Sequence, residues 1–264
     1  MIRAWSEPIR PTPTIPIPIG AVILSDPSRA VTVHQHVGDM SADRALRLAH
    51  RGDWRFAPEN SLGAMGAALA LPACDGLEFD VQLASDGVPV LLHDDTLERV
   101  QGIRRSVGSF TAAELAVHGI PTLAAVLATA GRAAFLDVEL KGAATPDIVA
   151  VLEAARGRAD GTIPGTVVSS FRTATLGWLR ERRPLWPLWL NVEVLTDREI
   201  SRARRLGCAG ISAGWRSINA RMASLVRDDG LQLAAWTVRR RSTVARLERL
   251  GVMAICVEAA AFDG

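Results

Sequence analysis

A chain of 264 residues that is 48% hydrophobic and 22% charged can bury a sizeable core, which excludes general disorder. A net charge of +2 gives no bulk attraction to nucleic acid or to an acidic membrane surface. Three cysteines, Cys74, Cys208 and Cys256, make no CxxC pair and no even set, so free thiols in a reducing compartment are expected.

The first 24 residues hold five prolines and no long apolar run, unlike a secretion signal. Nowhere does an apolar stretch approach the roughly 18 residues of a membrane span, so a cytoplasmic protein without stable membrane insertion is expected. Residues 1–45 read as an N-terminal extension, because Pro-Thr-Pro-Thr-Ile-Pro-Ile-Pro favours an extended path. VTVHQHV at 31–37 alternates like a short strand. His34 and His36 share one of its faces, but with no third ligand nearby they read as surface histidines.

From residue 46 onward strand-like and helix-like segments alternate. Strands are predicted at 46–51, 76–82, 88–92, 134–140, 166–170, 186–191, 208–212, 231–237 and 252–257. Amphipathic helices are predicted at 60–70, 121–130, 145–156, 172–183, 197–206, 218–228 and 240–250. Asn60 is expected to cap a helix starting at Ser61, and Thr145 to cap one with Pro146 in its first turn. Gly207 and Gly251 suit helix ends. With 88–92 set aside as an excursion, eight strands and seven helices remain. That pattern predicts a (β/α)8 TIM barrel over residues 46–264 rather than an open doubly wound sheet. No GxGxxG or GxxxxGK[ST] follows a strand, which counts against a nucleotide-binding frame.

Function in such a barrel sits at the carboxyl ends of the strands. The unusual polar residues fall there: His50 and Arg51 after the first strand, Glu78 and Asp80 on one face of the second, His93 after the excursion, and Asp137, Glu139 and Lys141 in FLDVELKG at 135–142. Three carboxylates at one mouth, Glu78, Asp80 and Glu139, repel one another by about 3 kcal/mol per close pair. They persist by taking up protons, pairing with cations or binding a metal. An all-oxygen set without Cys suits one hard divalent cation, Mg2+ or Ca2+. Two imidazoles permit one general acid and one general base, while a guanidinium, an ammonium and a divalent ion together suit a phosphoryl group. The set fits phosphodiester cleavage.

Lys141 is the only lysine beside 29 arginines. Its compact charge suits a crowded phosphate site, whereas the plainer reading makes it a salt-bridge partner of Glu139 placed by chance. Asp137 reads as lying outside the trio, as a partner to a basic group. Taken singly, His50 could be a core histidine and Glu78 with Asp80 a solvent-facing acid pair. The arginine groups at 180–183, 202–205 and 239–241 are interspersed with Glu and read as solvated helix faces rather than a nucleic-acid patch.

HRG-x5-PEN-S-L at 50–62, GLEFDVQLASDGVPVLLHDDTLERV at 76–100, IPTLAAVL at 120–127 and LDVELKG at 136–142 resemble the glycerophosphodiester phosphodiesterases. VVSSF at 167–171 and AAWTV at 234–238 continue a likeness covering roughly residues 46–257. The resemblance implies a metal-dependent barrel hydrolase acting on a small-molecule glycerophosphodiester, releasing sn-glycerol 3-phosphate and an alcohol. It implies His50 and His93 as the acid/base pair and Glu78, Asp80 and Glu139 as ligands of the cation. Arg51 and Lys141 become phosphate contacts, Trp236 a flank for the glycerol moiety, and Glu59 with Asn60 a loop supporting the mouth. Residues 94–120 match a small insertion over the mouth.

The chain departs from the family pattern in two places. Arg239 follows AAWTV where Asn is frequent, and CVEAAAFDG stands where the last strand commonly ends in Thr-Asp-x-x-Pro. An eighth helix reads as missing or vestigial, with the N-terminal extension packing across the barrel in its stead. Two other functions are compatible with the site: a sphingomyelinase D-like or lysophospholipase D-like phosphodiesterase, and a catalytically silent barrel serving as a binding module.

Overall fold

The computed structural model describes residues 44–258 together with Ala261 and Phe262. The proline-rich extension, the strand expected at 31–37, His34 and His36 lie outside these residues, as does the packing expected of that extension. Nine strands run in chain order: β1 (Leu46–His50), β2 (Gly76–Leu83), β3 (Pro89–Leu91), β4 (Phe135–Leu140), β5 (Thr166–Ser170), β6 (Leu188–Val192), β7 (Gly210–Gly214), β8 (Gln232–Val238) and β9 (Ala254–Val257). All but β3 are parallel, and β1 pairs with both β2 and β9, which closes an eight-stranded barrel. β3 runs antiparallel along β2 as the expected excursion.

Seven helices alternate with the barrel strands: α1 (Leu62–Leu69), α4 (Leu123–Ala130), α5 (Pro146–Arg156), α6 (Thr173–Arg182), α7 (Asp197–Arg205), α8 (Ala220–Asp228) and α9 (Arg241–Arg249). Each lies within two residues of its predicted bounds, and the apolar period is strongest in α7, α8 and α9, which bury one face each. Thr145 caps α5 by accepting from the Ile148 amide, with Pro146 at the first helical position. Gly207 and Gly251 follow their helices at φ of 65° and 77°. The predicted cap at Asn60 is corrected: Ser61 caps α1 by accepting from the Ala64 amide. Asn60 takes a left-handed φ of 56° and turns its side chain to Asp80.

The interior of the barrel changes character along its axis. Side chains two apart on a strand share a face, so Leu46, Leu48 and His50 line one side of β1, Phe135, Asp137 and Glu139 one side of β4, and Trp189 and Asn191 one side of β6. The amino-terminal members of these series pack together as a buried apolar floor with Val167, Ala234, Ala254 and Cys256. Trp189 needs space that Gly210 provides, since a Cβ at that glycine would lie 2.7 Å from the indole Nε1. The carboxyl-terminal members are the polar residues of the mouth. A second apolar layer lies between the strands and the ring of helices.

Residues 92–120 hold two short helices that the sequence did not announce, α2 (Glu98–Gln101) and α3 (Ala112–Val117), plus a 3-10 turn at Val107–Ser109. They pack with β3 on a small core of their own, including Leu92, Leu97, Val107, Phe110 and Leu115. Cys74, Cys208 and Cys256 are free thiols. Among the described residues, no helix is long and apolar enough to cross a membrane.

Candidate active site

His50 ends β1, and the backbone turns at once. Arg51 adopts a φ of 60° and Gly52 one of 83°. A Cβ on Gly52 would lie 2.6 Å from the Ala64 backbone carbon, so only glycine lets α1 approach the turn this closely. The turn is held by the Arg51 amide donating to the Glu78 carbonyl at 2.8 Å, and by the Asn60 amide donating to the Arg51 carbonyl at 3.0 Å. His50 Nδ1 meets Glu258 Oε1 at 2.5 Å, and its Nε2 lies 3.9 Å from Glu78 Oε2.

The parallel register of β2 with β4 sets Glu78 beside Asp137 and Asp80 beside Glu139. One oxygen each from Glu78, Asp80 and Glu139 falls within 4.8 Å of the others, and all three residues are buried. Burial, then the charges of Asp80 and Glu139, push the Glu78 carboxyl well above its usual range. Burial and Asp80 likewise raise Glu139, although Lys141 opposes them. Burial would also raise Asp80, but the Lys141 ammonium and the Arg51 guanidinium outweigh it and bring Asp80 down to about 2. Lys141 Nζ sits 2.8 Å from Asp80 and 2.5 Å from Glu139. It is thus a salt-bridge partner of Glu139, as the plainer sequence reading had it, and also a contact of the neighbouring strand's acid.

These residues fit a divalent cation. Three convergent carboxylates repel one another in a medium that screens poorly, and buried Glu78 Oε2 has no hydrogen-bond donor. The donors are all hard oxygens, the set that Mg2+ or Ca2+ prefers.

The mouth is braced from both sides. Arg51 Nε is 3.1 Å from Asp80 Oδ2, and its Nη1 donates to Glu59 at 3.0 Å. Asn60 Nδ2 donates to Asp80 Oδ2 at 2.9 Å. His93, in the loop after β3, has Nδ1 2.6 Å from Asp94 Oδ1. Arg99 of α2 donates through Nε to Asp94 at 2.6 Å and through both terminal nitrogens to Glu59. Burial holds the His93 imidazole below its usual range, against the pull of Asp80 and Asp94.

A cavity of about 150 Å³ brings together His50, Arg51, Glu78, His93, Glu139 and Lys141. Trp236 lines it too, edge-on to Phe171 with ring centroids 5.6 Å apart. Glu59 and Asn60 do not line the cavity and act on it through the residues they hold, whereas Asp80 lies just behind the lining, with one oxygen within 4.8 Å of oxygens of Glu78 and Glu139. The expectation of a basic partner for Asp137 is corrected. Asp137 lines the cavity, bonds the Ser169 hydroxyl, and keeps a buried Oδ1 without any hydrogen-bond partner; burial pushes it up to about 7. Its register faces Glu78 on one side and Val167 on the other, neither of them a base.

Sequence reasoning did not find Glu258, Asp94 or Arg99. Asp94 had a signal in standing next to His93. Glu258 had only its place two residues after the inward Cys256, in the stretch that departs from the family pattern. Phe171, Asn191 and Ser212 also line the cavity; Phe171 closes the VVSSF stretch of the family likeness, and nothing in the local sequence marks the other two.

A closed parallel barrel with buried acids, two imidazoles and two cations at its carboxyl mouth belongs with the phosphoric diester hydrolases. The chain is a member of the glycerophosphoryl diester phosphodiesterase family, which it matches over residues 50–261. It is 31% identical over 231 residues to YhdW of Bacillus subtilis (strain 168), a provisionally named glycerophosphodiester phosphodiesterase, covering 80% of this chain and 93% of that one. A glycerophosphodiester phosphodiesterase of Caldanaerobacter subterraneus subsp. tengcongensis is 28% identical over 231 residues, covering 81% of this chain and 94% of its own. Among solved structures, a phosphodiesterase of Oleispira antarctica in complex with the product sn-glycerol-3-phosphate superposes with a TM-score of 0.71 at 25% identity, covering 81% of this chain and 93% of that chain.

Proposed function

We propose that the chain hydrolyses glycerophosphodiesters to sn-glycerol 3-phosphate and an alcohol, with His50 and His93 as the acid/base pair. One observation carries the reading: both imidazoles open on the same cavity as Glu78 and Glu139, and each has its Nδ1 committed to a carboxylate. That commitment leaves Nε2 as the working nitrogen on both rings. One ring takes the proton of the attacking hydroxyl or water, and the other gives a proton to the departing alkoxide oxygen. Glu78, Asp80 and Glu139 would hold one divalent cation, Mg2+ or Ca2+, supplying positive charge for the phosphoryl oxygens and an acidified nucleophile. Arg51 and Lys141 supply further cationic contacts for the phosphate, and the Trp236 ring, stacked edge-on with Phe171, offers an apolar flank for the glycerol carbons. The product named for the Oleispira antarctica structure supports the choice of sn-glycerol 3-phosphate.

The test is release of sn-glycerol 3-phosphate from glycerophosphocholine and glycerophosphoethanolamine, in the presence of Mg2+ or Ca2+. The wild-type chain should release it, and His93→Ala should be slower by at least about a hundredfold, as loss of a general acid or base usually is. No release from either diester, or a His93→Ala rate within tenfold of wild type, contradicts the reading.

A further inference from the structure

The two working imidazoles are held in the same manner by unrelated parts of the chain. His93 leans on Asp94, and Asp94 Oδ2 is taken by Arg99 Nε at 2.6 Å. His50 leans on Glu258, and Glu258 Oε2 is taken by Arg239 Nε at 2.5 Å. We propose that Arg239 is a positioning residue for His50, fixing Glu258 in the one orientation that orders the imidazole with Nε2 toward the cavity. This rests on the reading of His50 as one of the acid/base pair.

The geometry favours a built arrangement over a chance surface pair. Glu258 directly follows β9 and Arg239 directly follows β8, and the Glu258 amide donates to the Val238 carbonyl at 2.9 Å. The backbone therefore brings the two residues to adjacent strand ends before their side chains meet. Glu258 has only 3% of its side chain exposed, whereas Arg239 has 68%. Each carboxylate oxygen has a single assigned role, one on the imidazole and one on the guanidinium. Exposed ion pairs are worth little because water competes for both ends. Here water competes for one end only, and removing the arginine would leave Glu258 Oε2 a buried acceptor with no donor. A free glutamate has several rotamers, so an anchored second oxygen is what confines the first to the imidazole. Both residues also stand where the sequence departs from the pattern it otherwise resembles, and the structure places those departures against each other.

The test uses the full chain in two independent arms. The first follows the His50 Nδ1 proton by NMR without substrate or metal, assigned by its loss in His50→Gln. A proton shared with a fixed carboxylate lies far downfield and exchanges slowly. It should be seen in wild type, be weakened or shifted upfield in Arg239→Gln, and be recovered in Arg239→Lys, which restores the charge on Glu258 Oε2. The second arm is kinetic. Arg239→Gln should lower kcat by about tenfold, in the range of partners that orient an imidazole, with KM within about twofold of wild type. The same change made in Glu258→Gln should have little further effect, because the intermediary is already altered. Arg239 is itself exposed, and a cooperative melting transition well above the assay temperature verifies that Arg239→Gln remains folded. An Nδ1 resonance neither weakened nor shifted in Arg239→Gln overturns the proposal, as does an equal loss in both backgrounds or a change confined to KM. A chain without diesterase activity would defeat the catalytic reading, while the NMR arm would still decide whether Arg239 positions His50.

Discussion

The lone ammonium of Lys141 lies between carboxylates of two different strands, 2.8 Å from Asp80 and 2.5 Å from Glu139. A point charge on a flexible stem can enter that gap, whereas a planar guanidinium would need a wider one. Asp137, one pleat deeper, makes no ion pair with that ammonium, and burial together with the neighbouring acids outweighs Ser169 and the more distant Lys141 and pushes its carboxyl up to about 7. A carboxyl raised in the folded state stabilises the fold below its unfolded pKa, and that contribution is lost as pH rises through the folded value. Without divalent ions, stability carried by Asp137 should therefore fall between about pH 4 and pH 7. Asp137→Asn removes the titration. In chelator-treated protein its melting temperature should match wild type below about pH 4 and exceed it by roughly 3 °C or more at pH 8. A wild-type advantage that grows with pH would contradict this assignment. Asp137 itself was visible in the sequence as one of three polar residues on a strand face. Its partner was not, because Ser169 belongs to the next strand and appears only when register is known.

At the scale of elements, the barrel is a set of strands whose inward faces pass from apolar to polar toward their carboxyl ends. That order was legible: period-two alternation marks strands and the polar tips mark the mouth. The helices were legible too, since their apolar faces repeat over whole turns. Elements held by their own small core, α2 and α3, were not, because four and six residues are too few to show a period. Asn60 misled for another reason: a cap and a left-handed turn residue share the same short polar side chain. The glycines separate fit from freedom. A Cβ on Gly76 of β2 would lie 2.0 Å from the Phe135 carbonyl oxygen in β4, so strand backbone must move to admit it. Gly177 of α6 has nothing within 4 Å of such an atom. Gly76→Ala should cost about 1–3 kcal/mol or more, and Gly177→Ala should gain about 0.5–1 kcal/mol from helix propensity. Denaturant unfolding of the two variants should give opposite signs. A neutral Gly76→Ala would show that the sheet yields at this point.

For the whole molecule, closure of the barrel does what local sequence cannot announce. Pairing of β1 with β9 brings His50 against Glu258, 208 positions away. Motifs near one another in the chain, such as HRG with PEN, could be read locally. Contacts across the closing seam could not, and Glu258 is the consequence. The barrel gathers Glu78, Asp137, Glu139 and both imidazoles around one cavity, with Asp80 beside Glu78 and Glu139, and the account depends on that gathered charge binding a cation. The most direct measurement is calorimetric titration of chelator-treated protein with Mg2+ and with Ca2+, beside Asp80→Asn. Wild type should bind one ion per chain and melt at a higher temperature once loaded, and the variant should lose most of that affinity. No binding by wild type, or undiminished binding by Asp80→Asn, would contradict the account.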